Sequence, residues 1–101
     1  MDQRAESAGS EAGAARRSVT IRNQRGLHAR AAAKLVKLAD LFEAEVTVRK
    51  GDVSVSGRSI MGLMMLAAGP GCEIELLAAG ADAEPALLAI AELIQRKFDE
   101  D

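Results

Sequence analysis

The sequence predicts an α+β fold, a two-layer sandwich in which a four-stranded antiparallel sheet is covered on one face by three helices in the order βαββαβα. Two patterns predict it. Four short segments alternate apolar and polar residues, whereas three others carry their apolar residues at helical spacing. The polar members of the alternating segments, Thr20, Arg22, Thr47, Arg49, Ser54, Ser56, Glu73 and Glu75, form one solvent-facing sheet surface.

Residues 1–17 are rich in Ala, Gly, Ser and charge and have no large apolar side chain after Met1. Such a segment buries too little surface to offset the entropy of ordering, so a disordered tail is expected, followed by one domain over 18–101. The first strand runs from Ser18 to Asn23 with Val19 and Ile21 inward, and Gln24-Arg25-Gly26 breaks it. A helix follows from His28 to about Phe42, its stripe being Ala32, Leu35, Val36, Ala39 and Phe42. Val46 and Val48, then Val53 and Val55, alternate on either side of Lys50-Gly51-Asp52, which reads as a hairpin. The run Ile60 to Ala68 is a second helix, closed by Gly69-Pro70-Gly71. Cys72 to Leu77 forms the last strand, with Ile74 and Leu76 inward. Asp82 to Pro85 opens a third helix with the stripe Leu87, Ala91, Ile94 and Phe98.

Bulk properties restrict function. A chain of 101 residues that is 49% hydrophobic supports one core and no deep two-domain cleft. Phe42 and Phe98 are its only aromatic residues, so platforms for stacking bases are missing and no nucleic-acid partner is expected. The net charge of −2 conceals an asymmetry, with eight basic and four acidic residues in 18–58 against two and eight in 59–101. The basic half is suited to an acidic partner, although charge runs also serve simply as solvated faces. Cys72 stands alone and reads as a small core residue; with a single histidine the chain lacks the ligands of a closed zinc site, which argues against a metal chaperone. No secretory signal is evident and no run approaches the ~20 apolar residues that cross a bilayer, so a cytoplasmic protein without membrane insertion is expected.

His28 is the candidate for chemistry. It lies in Gly26-Leu27-His28-Ala29-Arg30, where an alternating run gives way to a helical one. Imidazole is largely neutral near pH 7, with one ring nitrogen able to act as a nucleophile. The positive end of a helix disfavours imidazolium and favours an attached anion. The N–H groups of Ala29 and Arg30 and the Arg30 guanidinium are placed to donate to phosphoryl oxygens. On the residues alone, a histidine at a helix start with an arginine nearby is more often a cap or a solvated side chain.

Gly26-Leu27-His28-Ala29-Arg30-Ala31-Ala32, followed about thirty residues later by Ser59-Ile60-Met61-Gly62-Leu63-Met64, closely resembles the two signature segments of HPr, the phosphocarrier of the bacterial phosphoenolpyruvate-dependent phosphotransferase system. The resemblance runs from Ser18 to about Phe98 and implies an open-faced β-sandwich. It further implies that His28 takes a phosphoryl group on Nδ1 from phosphorylated enzyme I and passes it to an enzyme IIA-type protein, with Arg30 attending the phosphate. The carrier so implied is stoichiometric and needs no cofactor or metal, and a monomer is expected. Ser59 matches the serine that an ATP-dependent HPr kinase/phosphorylase modifies in some members. Many members carry proline where this chain has Ala31; alanine also suits a first helical turn, and resembles versions from the nitrogen-related, regulatory branch.

Ser59 has a second explanation as a helix N-cap. The helix after it is more apolar than one buried face requires. With Leu63, Leu66 and Ala67 inward, Ile60, Met61 and Met64 remain for the surface, although burial of the whole set fits the sequence as well. In the resemblance this helix and the first one form the partner-binding surface, which Arg25, Lys34, Lys37 and Arg58 would ring. The alternative to a carrier is a non-catalytic regulatory interaction module acting through Ser59 and the Met-rich helix, with His28 only a cap.

Overall fold

The computed structural model describes residues 14–100. Strands β1 (Ala15–Thr20), β2 (Glu45–Lys50), β3 (Val53–Ser56) and β4 (Glu73–Ala79) form a single antiparallel sheet in the order β1-β4-β2-β3. Helices α1 (Ala29–Ala39), α2 (Ile60–Met65) and α3 (Ala83–Gln95) cover one face, as predicted. Alternation does the sorting: Val19, Val46, Val48, Ile74, Leu76 and Ala78 enter the core, joined by Leu35, Leu63, Ile90 and Ile94 from the helices. On the open face Glu75 of the inner strand β4 joins its neighbours. It accepts from Arg49 Nε at 3.2 Å and pairs with Arg16 Nε at 2.8 Å. The hydrogen bond from Arg49 is the main cause that holds its carboxyl below the ordinary carboxylate value.

Several boundaries differ from the sequence expectation. Strand β1 starts at Ala15 rather than Ser18, so residues 15–17 of the expected tail belong to the sheet, and residues 1–13 lie outside the described residues. Ala15, Arg16 and Arg17 pair with Ala78, Leu77 and Leu76 of β4. Backbone pairing with an inner strand needs no large side chains, which is why composition concealed it. Val53, expected inward, is exposed on the edge strand β3.

Helix α1 stops at Ala39, short of Phe42, because Arg58 gathers the carbonyls at its end. Arg58 Nη2 donates to the carbonyls of Ala39 (3.3 Å) and Phe42 (3.1 Å), while its Nε pairs with Asp40 at 2.9 Å. Helix α2 stops at Met65 rather than Ala68, and Ala67 turns left-handed with φ 53°. Lys50 Nζ closes that end by donating to the carbonyls of Leu66 (3.1 Å) and Ala67 (3.3 Å). Consequently Ala67 is exposed and Ala68 takes the expected place in the core.

Phe98 reaches the core by an unexpected route. Helix α3 ends at Gln95, and Lys97, Phe98 and Asp99 form a turn with φ values of 60°, 54° and 61°. Left-handed backbone is unfavourable for residues with a Cβ and persists only where surroundings impose it. Here Phe98 is fully buried, its carbonyl accepts from Lys34 Nζ at 2.7 Å, and Arg96 pairs with Asp99 at 3.0 Å. Phe98→Ala is expected to lower the unfolding free energy by about 3–5 kcal/mol, measured by urea denaturation, because it removes the buried ring that anchors this turn.

Candidate functional site

The site begins at the exit from β1. Ile21 N–H bonds the Cys72 carbonyl at 2.9 Å, and the chain then turns through Gly26 with φ +65°. A Cβ at Gly26 would lie 2.4 Å from the Ala68 carbonyl oxygen and 2.9 Å from Gly69 Cα, so only glycine permits this approach. The approach brings Leu27 N–H to the Ala68 carbonyl at 3.0 Å and buries Leu27.

His28 then occupies the N-cap of α1 in extended backbone, φ −76° and ψ 179°, and its carbonyl accepts from Ala32 N–H at 2.8 Å. Its side chain makes no capping hydrogen bond, so a cap is not what the imidazole supplies. The ring is 15% exposed, and its Nε2 meets Oε2 of Glu100, delivered by the left-handed turn. Asn23 Nδ2 donates to the other Glu100 oxygen at 3.1 Å and to the Gly26 carbonyl at 2.8 Å. Burial pushes the Glu100 carboxyl up. The hydrogen bonds from His28 and Asn23, with the positive charge of Arg25, outweigh it and hold the carboxyl below its ordinary value.

Ala29 and Arg30 are exposed in the first turn of α1, where N–H groups have no intrahelical acceptor. Arg30 makes no ion pair among the described residues. Ala31 is fully buried and α1 is regular through it. The site thus joins a ring nitrogen, open N–H groups, a helix dipole and an arginine two residues on, which together suit a covalently held oxyanion.

Ser59 caps α2, its Oγ accepting from Gly62 N–H at 2.9 Å. The structure separates it from His28. Arg58 ties the start of α2 to the end of α1, whereas Ala68, just past the end of α2, bonds the loop before α1. The two helices therefore run antiparallel, with His28 and Ser59 at opposite ends. Ile60, Met61 and Met64 are exposed, Met61 at 71%, and so is Met65, which the sequence reading did not single out. Arg25 and Lys37 are exposed as well. Lys34 and Arg58, expected to ring this face, are instead engaged by backbone carbonyls. Cys72 is a half-buried free thiol packed against the core. Among the described residues no three His, Cys, Asp or Glu side chains converge as metal ligands.

Asn23 and Glu100 also escaped the sequence reading. Asn23 looked like the end of a strand, and Glu100 lies 72 residues from His28, with a turn between them that no glycine announces.

Residues 15–96 match the family model described as "PTS HPr component phosphorylation site". The chain is 52% identical over 84 residues to the phosphocarrier protein NPr of Shewanella violacea, covering 83% of this chain and 92% of that protein. It is 49% identical over 85 residues to the phosphocarrier protein HPr of Neisseria meningitidis serogroup A, covering 84% and 96%. Among solved structures, HPr from Thermoanaerobacter tengcongensis superposes with a TM-score of 0.82 at 39% identity, covering 86% of this chain and 98% of that one. An HPr from Bacillus anthracis gives 0.78, also at 39% identity, covering 81% and 98%. These matches define the class, the phosphocarrier components of the phosphotransferase system. Within it, the chain belongs to the HPr family, which includes the NPr branch.

Gly26→Ala tests the close approach that sets the loop. It is expected to cost about 1–2 kcal/mol from the left-handed backbone alone, before any clash with Ala68. Chemical denaturation measures the loss, and displaced amide signals of Leu27 and His28 report the shift.

Proposed function

We propose that this chain is a stoichiometric phosphoryl carrier that receives a phosphoryl group on His28 from phosphorylated enzyme I and yields it to an enzyme IIA-type protein. One observation carries the reading. The His28 ring is not used for capping, and with Nε2 engaged by Glu100, Nδ1 is the nitrogen left to accept phosphorus. The positive end of α1, the N–H groups of Ala29 and Arg30, and the Arg30 guanidinium offset the charge of the bound group. Phosphoryl transfer depends mainly on positioning and charge neutralisation, so a shallow site completed by a docked partner suffices. The carrier is acceptor in one transfer and donor in the next, and it acts as a cytoplasmic monomer. No helix among the described residues is long and apolar enough to cross a membrane.

Ile60, Met61, Met64 and Met65 supply an adaptable apolar docking face for both partners. Arg25, Arg30 and Lys37 steer acidic surfaces towards it. Ala31 in place of proline, together with the similarity to an NPr, supports a place in the nitrogen-related branch rather than in sugar uptake.

Incubation with phosphoenolpyruvate and enzyme I is expected to label the protein with acid-labile phosphate. His28→Ala abolishes the label, and Arg30→Ala slows its uptake by about 10- to 100-fold, the worth of a charge-assisted hydrogen bond. Label retained by His28→Ala would sink the reading.

Ser59 is a regulatory phosphorylation site in this proposal, the modifying enzyme being an HPr kinase/phosphorylase. Its phosphate would stand at the far end of α2 from His28, adding about two negative charges beside the docking face. Acid-stable phosphate from ATP and the kinase is the expected result, absent in Ser59→Ala. Loss of the cap itself costs Ser59→Ala about 1 kcal/mol, so label uptake is compared under fully folded conditions.

A further inference from the structure

Two unfavourable features of this structure converge on one carboxylate. Asn23 is the single buried polar residue among those described, only 2% exposed, and its Oδ1 has no hydrogen-bond partner. Native interiors rarely leave such an atom unpaired, and an apolar side chain of the same shape would avoid it. The second feature is the run of three left-handed residues, Lys97 to Asp99, none of them glycine. Backbone held in such conformations gathers at functional sites, where the surroundings impose it for a purpose. What the two share is Glu100. The turn delivers it, and the Asn23 carboxamide holds it from the other side.

The orientation of Asn23 is fixed by its partners. Nδ2 faces two acceptors, the Gly26 carbonyl and Glu100 Oε1, so the reversed amide would set oxygen against oxygen at both. The second Glu100 oxygen faces His28 Nε2. An ionised carboxylate only accepts, so this contact requires the proton on Nε2 and leaves the lone pair of the neutral ring on Nδ1. The Gly26 carbonyl also accepts from His28 N–H at 2.9 Å and stays satisfied without Asn23. Holding the turn is therefore not enough to explain a buried asparagine.

We propose that Asn23 and Glu100 are positioning residues for phosphoryl transfer: Asn23 holds the Glu100 carboxylate against Nε2 of His28, and Glu100 fixes the ring with its proton on Nε2 and its Nδ1 lone pair presented to phosphorus. The inference rests on the carrier reading of His28. In the transfer, the Nδ1 lone pair forms the new bond to phosphorus as the bond to the donor's leaving atom breaks, the pair returning to that atom. The proton stays on Nε2 throughout, and the positive charge the ring acquires is paired with Glu100. Onward transfer returns the bonding pair to Nδ1. No proton has to leave or enter the ring in either direction, which suits a carrier that must work both ways.

The test combines rates with a spectroscopic signature in the full chain. Proton NMR of the wild type is expected to show a downfield ring N–H signal from His28, protected from solvent exchange. Glu100→Ala abolishes it, and Asn23→Leu, matched in shape and free of the unpaired oxygen, broadens it or moves it upfield while the fold keeps its stability. Phosphate uptake from phosphorylated enzyme I is expected to slow by about 10- to 100-fold in Glu100→Ala and by about 10-fold in Asn23→Leu. The double variant should be no slower than Glu100→Ala alone, because Asn23 acts through Glu100. The proposal is overturned if the single variants keep the ring signal and lie within about twofold of wild type. It is equally overturned if Glu100→Ala takes up phosphate faster, as removal of a plug would allow, or if the Asn23→Leu deficit persists in full on top of Glu100→Ala. Failure of the carrier reading has a different mark: wild-type protein that takes up no label at all, which removes the transfer that Asn23 and Glu100 would serve.

Discussion

The structure depends on one backbone approach, that of the loop before α1 to the segment after α2. Gly26 sits so close to Ala68 and Gly69 that a single added carbon would meet backbone at 2.4 Å. Backbone atoms at both sides cannot rotate away as a flexible side chain would. The distance is therefore set by the fold, and the bond from Leu27 N–H to the Ala68 carbonyl locks it. Because His28 directly follows Leu27, the position of its ring is tied to the end of α2 as firmly as to the start of its own helix. A site formed by two helices is held more firmly than one carried on a free loop.

The same helix pair is clamped at its other end. There Arg58, just before Ser59, reaches the carbonyls ending α1, whereas at the His28 end Lys50 reaches from β2 to the carbonyls ending α2. Each cation satisfies acceptors that a helix end leaves open and sits where the helix dipole is negative. With both helices fixed at both ends, the Ile60, Met61, Met64 and Met65 surface is a rigid platform carrying flexible side chains. In the proposed carrier, such a backbone would preserve the geometry around His28 during docking while the methionines adapt to different partners.

The parts of the fold that were legible in the sequence were those written in periodicity. Val19 and Ile21, Val46 and Val48, and Ile74 and Leu76 alternate strictly, and each pair is buried. The His28 site was legible because its residues are consecutive, Gly26 through Arg30, and occur with the Ser59 segment in the spacing of a known family. What escaped was specified by contact rather than by local pattern. Helix α1 keeps its apolar stripe to Phe42, yet a distant arginine ends it at Ala39. Residues 15–17 have the composition of a tail, yet β4 offers them a partner strand. Phe98 fits the stripe of α3, but it reaches the core after the helix has ended, through a turn that no propensity favours. Glu100 is carried to His28 by that turn, so the one error concealed the other.

The charge asymmetry between the two halves finds its explanation in these contacts. Part of it is neutralised within the fold, since Glu75 of the second half lies against Arg49 of the first and against Arg16 just before it, and Glu100 lies against His28. Lys34, Lys50 and Arg58 are engaged by carbonyls. Of the first half's basic residues Arg22, Arg25, Arg30 and Lys37 remain exposed, and among the described residues they form no ion pair. Arg25 and Arg30 flank His28 in sequence, Arg22 precedes them at the end of the first strand segment, and Lys37 lies two turns along α1. Exposed basic charge of the first half that pairs with no acid among the described residues thus lies on both sides of the histidine in sequence. In the carrier reading proposed above, this charge acts on an anion arriving at the start of α1.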